Sequence, residues 1–301
     1  MRRRWTVWGF SLVLLMLVAV GCSLVEGTGE DPAGDPGGDP SAGTVIIAVE
    51  TEPAGQAGAF RFTGVPSGTL SADTTLVVTD LAPGTYTTTQ VDPAPDFDVT
   101  AARCEEGDGG LASSADPQTR TAVVNLDAGE TVQCTFTNTQ RGTAVVVAET
   151  IPDAAGGQFL FTGVPSGTIP ANGTLVVAEL PPGTYTTTEA DPAPQFDLAE
   201  VSCDDGGSAT VSSGDPATRS ANFQIDPGEM VTCVFTNQRR GSIVVAAEVT
   251  PGSATGSFRY TGVPSGTISA GGTLVVADLS PGTYTTTEVD PAPDFELTEV
   301  T

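Results

Sequence analysis

Apolar and polar side chains alternate along this chain in short bursts, punctuated by Gly, Pro, Asp and Asn. Phe60 and Phe62 flank Arg61, Phe97 and Val99 flank Asp98, Ala122, Val124 and Leu126 stand two apart, and so do Val132, Cys134 and Phe136. A period of two puts each set on one face of an extended strand. Apolar or β-branched runs at 44–51, 58–64, 75–81, 84–91, 97–104, 120–126 and 131–138 predict seven strands, and no stretch sustains a helical period. Short strands at this spacing, separated by turn residues, predict an all-β fold of the sandwich type.

The same pattern returns with a period of 99 residues. Gly43, Gly142 and Gly241 begin successive copies, and three strings recur unchanged: Thr-Gly-Val-Pro-Ser-Gly-Thr at 63–69, 162–168 and 261–267, Pro-Gly-Thr-Tyr-Thr-Thr-Thr at 83–89, 182–188 and 281–287, and Asp-Pro-Ala-Pro at 92–95, 191–194 and 290–293. The second copy keeps the inward set as Phe159 and Phe161, Phe196 and Leu198, Ala221, Phe223 and Ile225, and Val231, Cys233 and Phe235. Units this long are tandem whole domains rather than turns of a solenoid. The copies run 43–141, 142–240 and 241–301, the third being incomplete because Thr301 aligns with Ser202. An incomplete copy is expected either from a fragment of a longer array or from a sandwich that takes a donor strand from another chain.

Only Thr139, Gln140 and Arg141 separate the closing Cys-Thr-Phe-Thr-Asn of the first copy from Gly142, and Asn237 stands as close to Gly241. Linkers this short predict a stiff row, each domain adding about 30–45 Å on a strand rise of about 3.3 Å per residue. Identity of the recurring turns follows from duplication, but also makes Val65, Val164 and Val263 candidates for a repeated contact surface.

Residues 1–21 read as an export signal: Arg2, Arg3 and Arg4 precede an apolar stretch from Phe10 to Val20, too short for a comfortable spanning helix. Cys22 follows small residues, which is similar to a bacterial lipoprotein signal and implies lipidation at Cys22 and a membrane anchor; an uncleaved anchor and ordinary secretion are the other readings. Residues 22–42, rich in Gly, Asp and Pro, are expected to act as a flexible tether. The remaining cysteines fall in step, Cys104 with Cys134 and Cys203 with Cys233, which in an exported chain predicts one disulfide per complete domain. Thiolate metal binding is disfavoured, for there is no Cys-x-x-Cys and no histidine.

The net charge is −26, and removing residues 1–21 makes it −29. Such a surface repels nucleic acid and anionic headgroups. Both tryptophans, Trp5 and Trp8, lie in the signal, so the mature chain lacks the broad aromatic platforms that sugar-binding modules use. With no histidine and no lysine, most routes to general-base, Schiff-base and metal catalysis are closed. Paired acids at Glu105 and Glu106, and at Asp204 and Asp205, are adjacent in turns rather than opposed across a cleft, which is not the arrangement glycoside hydrolysis needs. Neither catalytic residues, nor a cofactor, nor a metal site is expected. Tyr86, Tyr185 and Tyr284 are expected to pack at a sheet corner.

The first-strand Gly43-Thr-Val-Ile-Ile, the turn and strand Leu81-Ala-Pro-Gly-Thr-Tyr-Thr-Thr-Thr-Gln90 and the closing Cys134-Thr-Phe-Thr-Asn138 together resemble the prealbumin-like (SpaA-type, collagen-adhesin B-type) repeats of bacterial surface proteins. The resemblance spans 43–301. It implies tandem prealbumin-like (Ig-like) β-sandwiches, and in many such domains a lysine–asparagine isopeptide weld between first and last strands, assisted by a buried acid. Asn138 and Asn237 match the asparagine, Glu189 and Glu288 match the acid, and Gln90 replaces it in the first copy. The lysine position falls near Val49, Ala148 and Ala247, so the weld cannot form, and the disulfide is expected to serve as staple instead. No pilin lysine and no Leu-Pro-x-Thr-Gly anchor is present for sortase chemistry.

The expectation is therefore a non-enzymatic bacterial cell-surface protein, exported and held by an N-terminal lipid or secreted, acting as a rigid stalk for adhesion or envelope structure. The alternative is an extracellular binding module for calcium, a glycan or a secreted protein partner.

Overall fold

The computed structural model describes residues 41–107, 110–153 and 155–301; the signal segment, Cys22 and nearly all of the tether lie outside them. The first repeat holds nine strands: β1 (Gly43–Glu52), β2 (Ala59–Gly64), β3 (Gly68–Ser71), β4 (Thr75–Leu81), β5 (Gly84–Gln90), β6 (Phe97–Glu105), β7 (Ser114–Asp116), β8 (Thr121–Leu126) and β9 (Thr131–Gln140). The seven predicted runs are all present, and β3 and β7 are additional. Their brevity explains why the pattern did not reveal them: Leu70 is the one buried side chain of β3, and β7 has three residues.

Two sheets face each other, one in the order β4-β1-β9-β6 and the other β3-β2-β5-β8-β7. The pairing of β1 with β9 is parallel, from Thr44 opposite Thr131 to Glu52 opposite Thr139, whereas β1–β4 and β6–β9 are antiparallel. Between the sheets lie the residues the alternation selected: Phe60, Phe62, Phe97, Ala122, Val124, Leu126, Val132, Cys134 and Phe136 are all buried. Phe62 and Phe136 meet edge to face across the sandwich at 5.1 Å, as do Phe60 and Phe97 at 5.3 Å. One strand departs from strict alternation. A bulge between Val99 and Ala101 shifts the register of β6, so that after Phe97 and Val99 it is Ala102 and Cys104 that pack against the core.

The second repeat copies this arrangement in β10 (Gly142–Ile151), β11 (Gln158–Gly163), β12 (Gly167–Pro170), β13 (Gly173–Leu180), β14 (Gly183–Glu189), β15 (Phe196–Asp204), β16 (Ser213–Asp215), β17 (Ser220–Ile225) and β18 (Met230–Arg239). Its sheets run β13-β10-β18-β15 and β12-β11-β14-β17-β16, with the bulge again in its sixth strand, between Leu198 and Glu200. The third repeat has β19 (Gly241–Ala246), β20 (Ser257–Gly262), β21 (Gly266–Ser269), β22 (Thr273–Leu279) and β23 (Thr286–Glu288), in sheets β19-β22 and β21-β20-β23. Its core is a small cluster of Ala247, Phe258, Tyr260 and Ile268.

Candidate functional site

The covalent staple is formed in both complete repeats. Cys104 bonds Cys134 and Cys203 bonds Cys233, each pair directly opposite on antiparallel neighbours. The bridge ties the last strand to the sixth strand rather than to the first, which is where it departs from an isopeptide weld. The bond lies within one sheet, and the loop it closes carries β7 and β8 of the opposite sheet.

Where the resemblance places that weld, a buried polar pair remains. Asn138 on β9 and Gln90 on β5 are fully buried and join their carboxamides reciprocally, Gln90 Nε2 donating to Asn138 Oδ1 and Asn138 Nδ2 to Gln90 Oε1. Val49, at the expected lysine position, is buried in β1 opposite Phe136, while Thr51 stands opposite Asn138. In the second repeat Asn237 Nδ2 donates to Glu189 Oε1 at 2.9 Å, and Ala148 stands in place of Val49. Burial pushes the Glu189 carboxyl up to about 7, although the Asn237 hydrogen bond and the Arg219 charge pull the other way. In the third repeat Glu288 instead accepts from the Tyr260 hydroxyl at 3.2 Å.

The invariant turns are held by specific packing. A Cβ on Gly64 (φ +101°) would lie 2.2 Å from the Thr87 carbonyl oxygen, so only glycine fits. Val65 N–H donates to that same oxygen at 2.9 Å, and the buried Thr88 hydroxyl donates to the Pro66 carbonyl at 2.7 Å. Val65 at 42% and Val263 at 36% exposure remain on the surface with no packing role evident, while Val164 is partly covered. Tyr86, Tyr185 and Tyr284 each turn their hydroxyl to the carbonyl four residues earlier, on Ala82, Pro181 and Ser280, as corner residues do.

The acids weighed for catalysis have structural tasks. Glu106 accepts the Ser113 N–H and Asp205 the Ser212 N–H, each closing a loop, and Glu105 lies beside Arg103. Among the described residues no group of three or more His, Cys, Asp or Glu side chains could hold a metal ion.

The junctions hold a charged contact that sequence reasoning passed over. A single residue, Arg141, lies between β9 and β10, because β9 continues to Gln140. Its Nε and Nη2 grip Asp98 of its own repeat at 2.9 and 2.6 Å, while Nη1 reaches the Glu179 carbonyl of the next at 3.4 Å. Arg240 takes the equivalent place one period later, its Nε and Nη2 both donating to Asp197 Oδ1 at 2.9 and 2.6 Å and its Nη1 to the Asp278 carbonyl at 3.4 Å. Glu179 and Asp278 are both left-handed, with φ of 59° and 56°, in the strands that receive the arginine. Backbone bonds reinforce the joint: Gly228 N–H donates across it to the Gln140 carbonyl at 3.0 Å. Hydrogen bonds from Arg240 and then Ser280 hold the Asp197 carboxyl below its ordinary range. A cleft lies at each joint, one bordered by Phe97, Arg141 and Glu179, the other by Phe196, Arg240 and Asp278. The signal was present in the recurrence of an arginine just ahead of each new first strand.

Comparison with known proteins agrees with this architecture. The prealbumin-like fold domain family matches residues 45–140 and again 145–239. No curated protein matches the chain significantly. Among solved structures, the chain is similar to the Bacillus anthracis TIE protein at 13% identity (TM-score 0.34), over 83% of this chain and 45% of that one. It is similar at 14% to a streptococcal ancillary pilin (TM-score 0.27), over 83% and 91%, and at 14% to the pilus adhesin SpaC from Lactobacillus rhamnosus GG (TM-score 0.30), over 84% and 37%. It thus spans less than half the length of the TIE protein and of SpaC. With two consecutive matches covering most of its length, the chain belongs to the prealbumin-like fold domain family.

Proposed function

We propose that this is a non-enzymatic bacterial cell-surface protein whose disulfide-stapled sandwiches stand in line as a stiff stalk for adhesion or envelope structure, exported by residues 1–21 and anchored by lipid at Cys22. The observation that carries this reading is the joint used twice. Arg141 and Arg240 occupy equivalent positions, grip equivalent acids and reach equivalent carbonyls. A linker of one residue with a charged clamp limits swivelling, which matters for reach and not for a catalytic pocket. Family membership and the paired disulfides support an exported structural role.

Small-angle scattering on the exported protein tests it. The wild-type chain is expected to be extended, and the double variant Arg141→Ala, Arg240→Ala to sample a broader range of inter-repeat angles. A wild-type profile as broad as that of the double variant, or recovery of the chain from the cytosol with free thiols, would overturn the reading.

A further inference from the structure

The two complete repeats differ at a buried pair whose geometry is otherwise shared. Gln90 and Asn138 exchange hydrogens in both directions, so each carboxamide both donates and accepts. Glu189 replaces Gln90 and receives one hydrogen bond from Asn237. Its second oxygen, Oε2, and the Asn237 oxygen, Oδ1, are both buried with no partner. Each member of this hydrogen-bonded pair thus leaves one acceptor orphaned, and a hydrogen on Oε2 would reproduce the first repeat's pattern, with O–H in place of the glutamine N–H.

We propose that Glu189 is a neutral carboxylic acid in the folded second repeat, its Oε2–H donating to Asn237 Oδ1, and that ionising it loosens this repeat while the first, built on Gln90, is indifferent to pH. The surroundings support the neutral form. Phe161 of β11 pairs with Glu189 along the backbone, Asn237 comes from β18, Thr150 of β10 lies opposite Asn237, and the Arg219 carbonyl in the turn before β17 accepts the Glu189 N–H. Of these side chains Arg219 alone is charged, and it favours the anion. Burial outweighs both that charge and the Asn237 hydrogen bond, raising Glu189 from 4.5 to about 7.

The direction of the pH effect follows. Because the folded value lies above the unfolded one, the contribution is complete below about pH 4.5 and is lost as pH rises through about 7. The folded-to-unfolded ratio of the second repeat should fall roughly a hundredfold over that interval. The inference does not depend on the stalk reading, since it concerns one interior pair.

Carboxyl carbon-13 NMR on the full chain, with Glu189→Gln to assign the resonance, tests the protonation directly. Glu189 is expected to titrate near neutrality, apart from the exposed glutamates. Hydrogen exchange, corrected for its intrinsic pH dependence, tests the consequence. Protection in β14 and β18 is expected to drop roughly a hundredfold between about pH 4.5 and 7.5 while β5 and β9 hold steady. Glu189→Gln should abolish that drop, and Gln90→Glu should transfer it to the first repeat. Glu189 titrating together with the surface carboxylates, or a pH response unchanged by Glu189→Gln, would overturn the proposal.

Discussion

Arg141 and Asp98 form a two-pronged ion pair, Nε to one carboxylate oxygen and Nη2 to the other, and the same guanidinium extends its free edge to the neighbouring repeat. Asp98 thereby fixes the angle from which Arg141 approaches Glu179. Since both partners are partly exposed, the pair contributes at most about 1 kcal/mol to stability. Its role is orientation. Asp98→Asn should lower the melting temperature of the first repeat by no more than about 4–8 °C and widen the inter-repeat angles measured by residual dipolar couplings; unchanged couplings would assign the joint to its backbone bonds.

At the second joint, hydrogen bonds from Arg240 and Ser280 hold the Asp197 carboxyl below its ordinary range. A lowered folded value means that the contribution is present above the unfolded value and is lost as pH falls through the folded one. Acidification below about pH 4 is expected to loosen the contact between the second and third repeats, with Asp197→Asn mimicking that state at neutral pH. Dipolar couplings across this joint recorded on both sides of that pH check it.

Removing a staple should be costly. Cys104→Ser with Cys134→Ser is expected to destabilise the first repeat by about 3–4 kcal/mol, since the bridge closes a loop of 30 residues. Denaturant unfolding of the variant, compared with the wild type, measures this. The second repeat, with its own bridge, should be unaffected.

The recurring turns separate a structural requirement from an open surface. Gly64→Ala forces a Cβ against the Thr87 carbonyl at a positive φ and should cost about 2 kcal/mol or more. Val65→Asp, at an exposed position, should change stability by no more than about 0.5 kcal/mol. If Val65, Val164 and Val263 form a contact face, replacing its two exposed members, Val65 and Val263, by aspartate abolishes attachment with the fold intact; unchanged attachment discards them.

Much of the fold was legible because a sandwich advertises its interior by alternation. Ala122, Val124 and Leu126 point inward as their spacing requires, and Phe62 and Phe136, on different strands, meet at the centre. Two things escaped. The bulge in β6 transfers the inward face from Val99 to Ala102 and Cys104, a change of phase that no period-two rule contains. The joint is a pairing over distance: Arg141 and Asp98 are visible in the sequence, but their geometry depends on which strands become neighbours, whereas the resemblance had already matched Gln90 and Asn138 to one buried site. The bridge itself was legible, since Cys104 closes the run 97–104 and Cys134 stands in the last strand; that these two strands lie side by side is what only the fold shows.

The parallel pairing of first and last strands has a mechanical consequence. Tension along the chain enters a complete repeat at the start of β1 and leaves at the end of β9, at opposite ends of two adjacent strands running the same way. A pull applied so loads the whole ladder from Thr44–Thr131 to Glu52–Thr139 in shear, and its hydrogen bonds must yield together rather than unzip one by one. The second repeat, with β10 and β18 in the same relation, meets the same load in the same way.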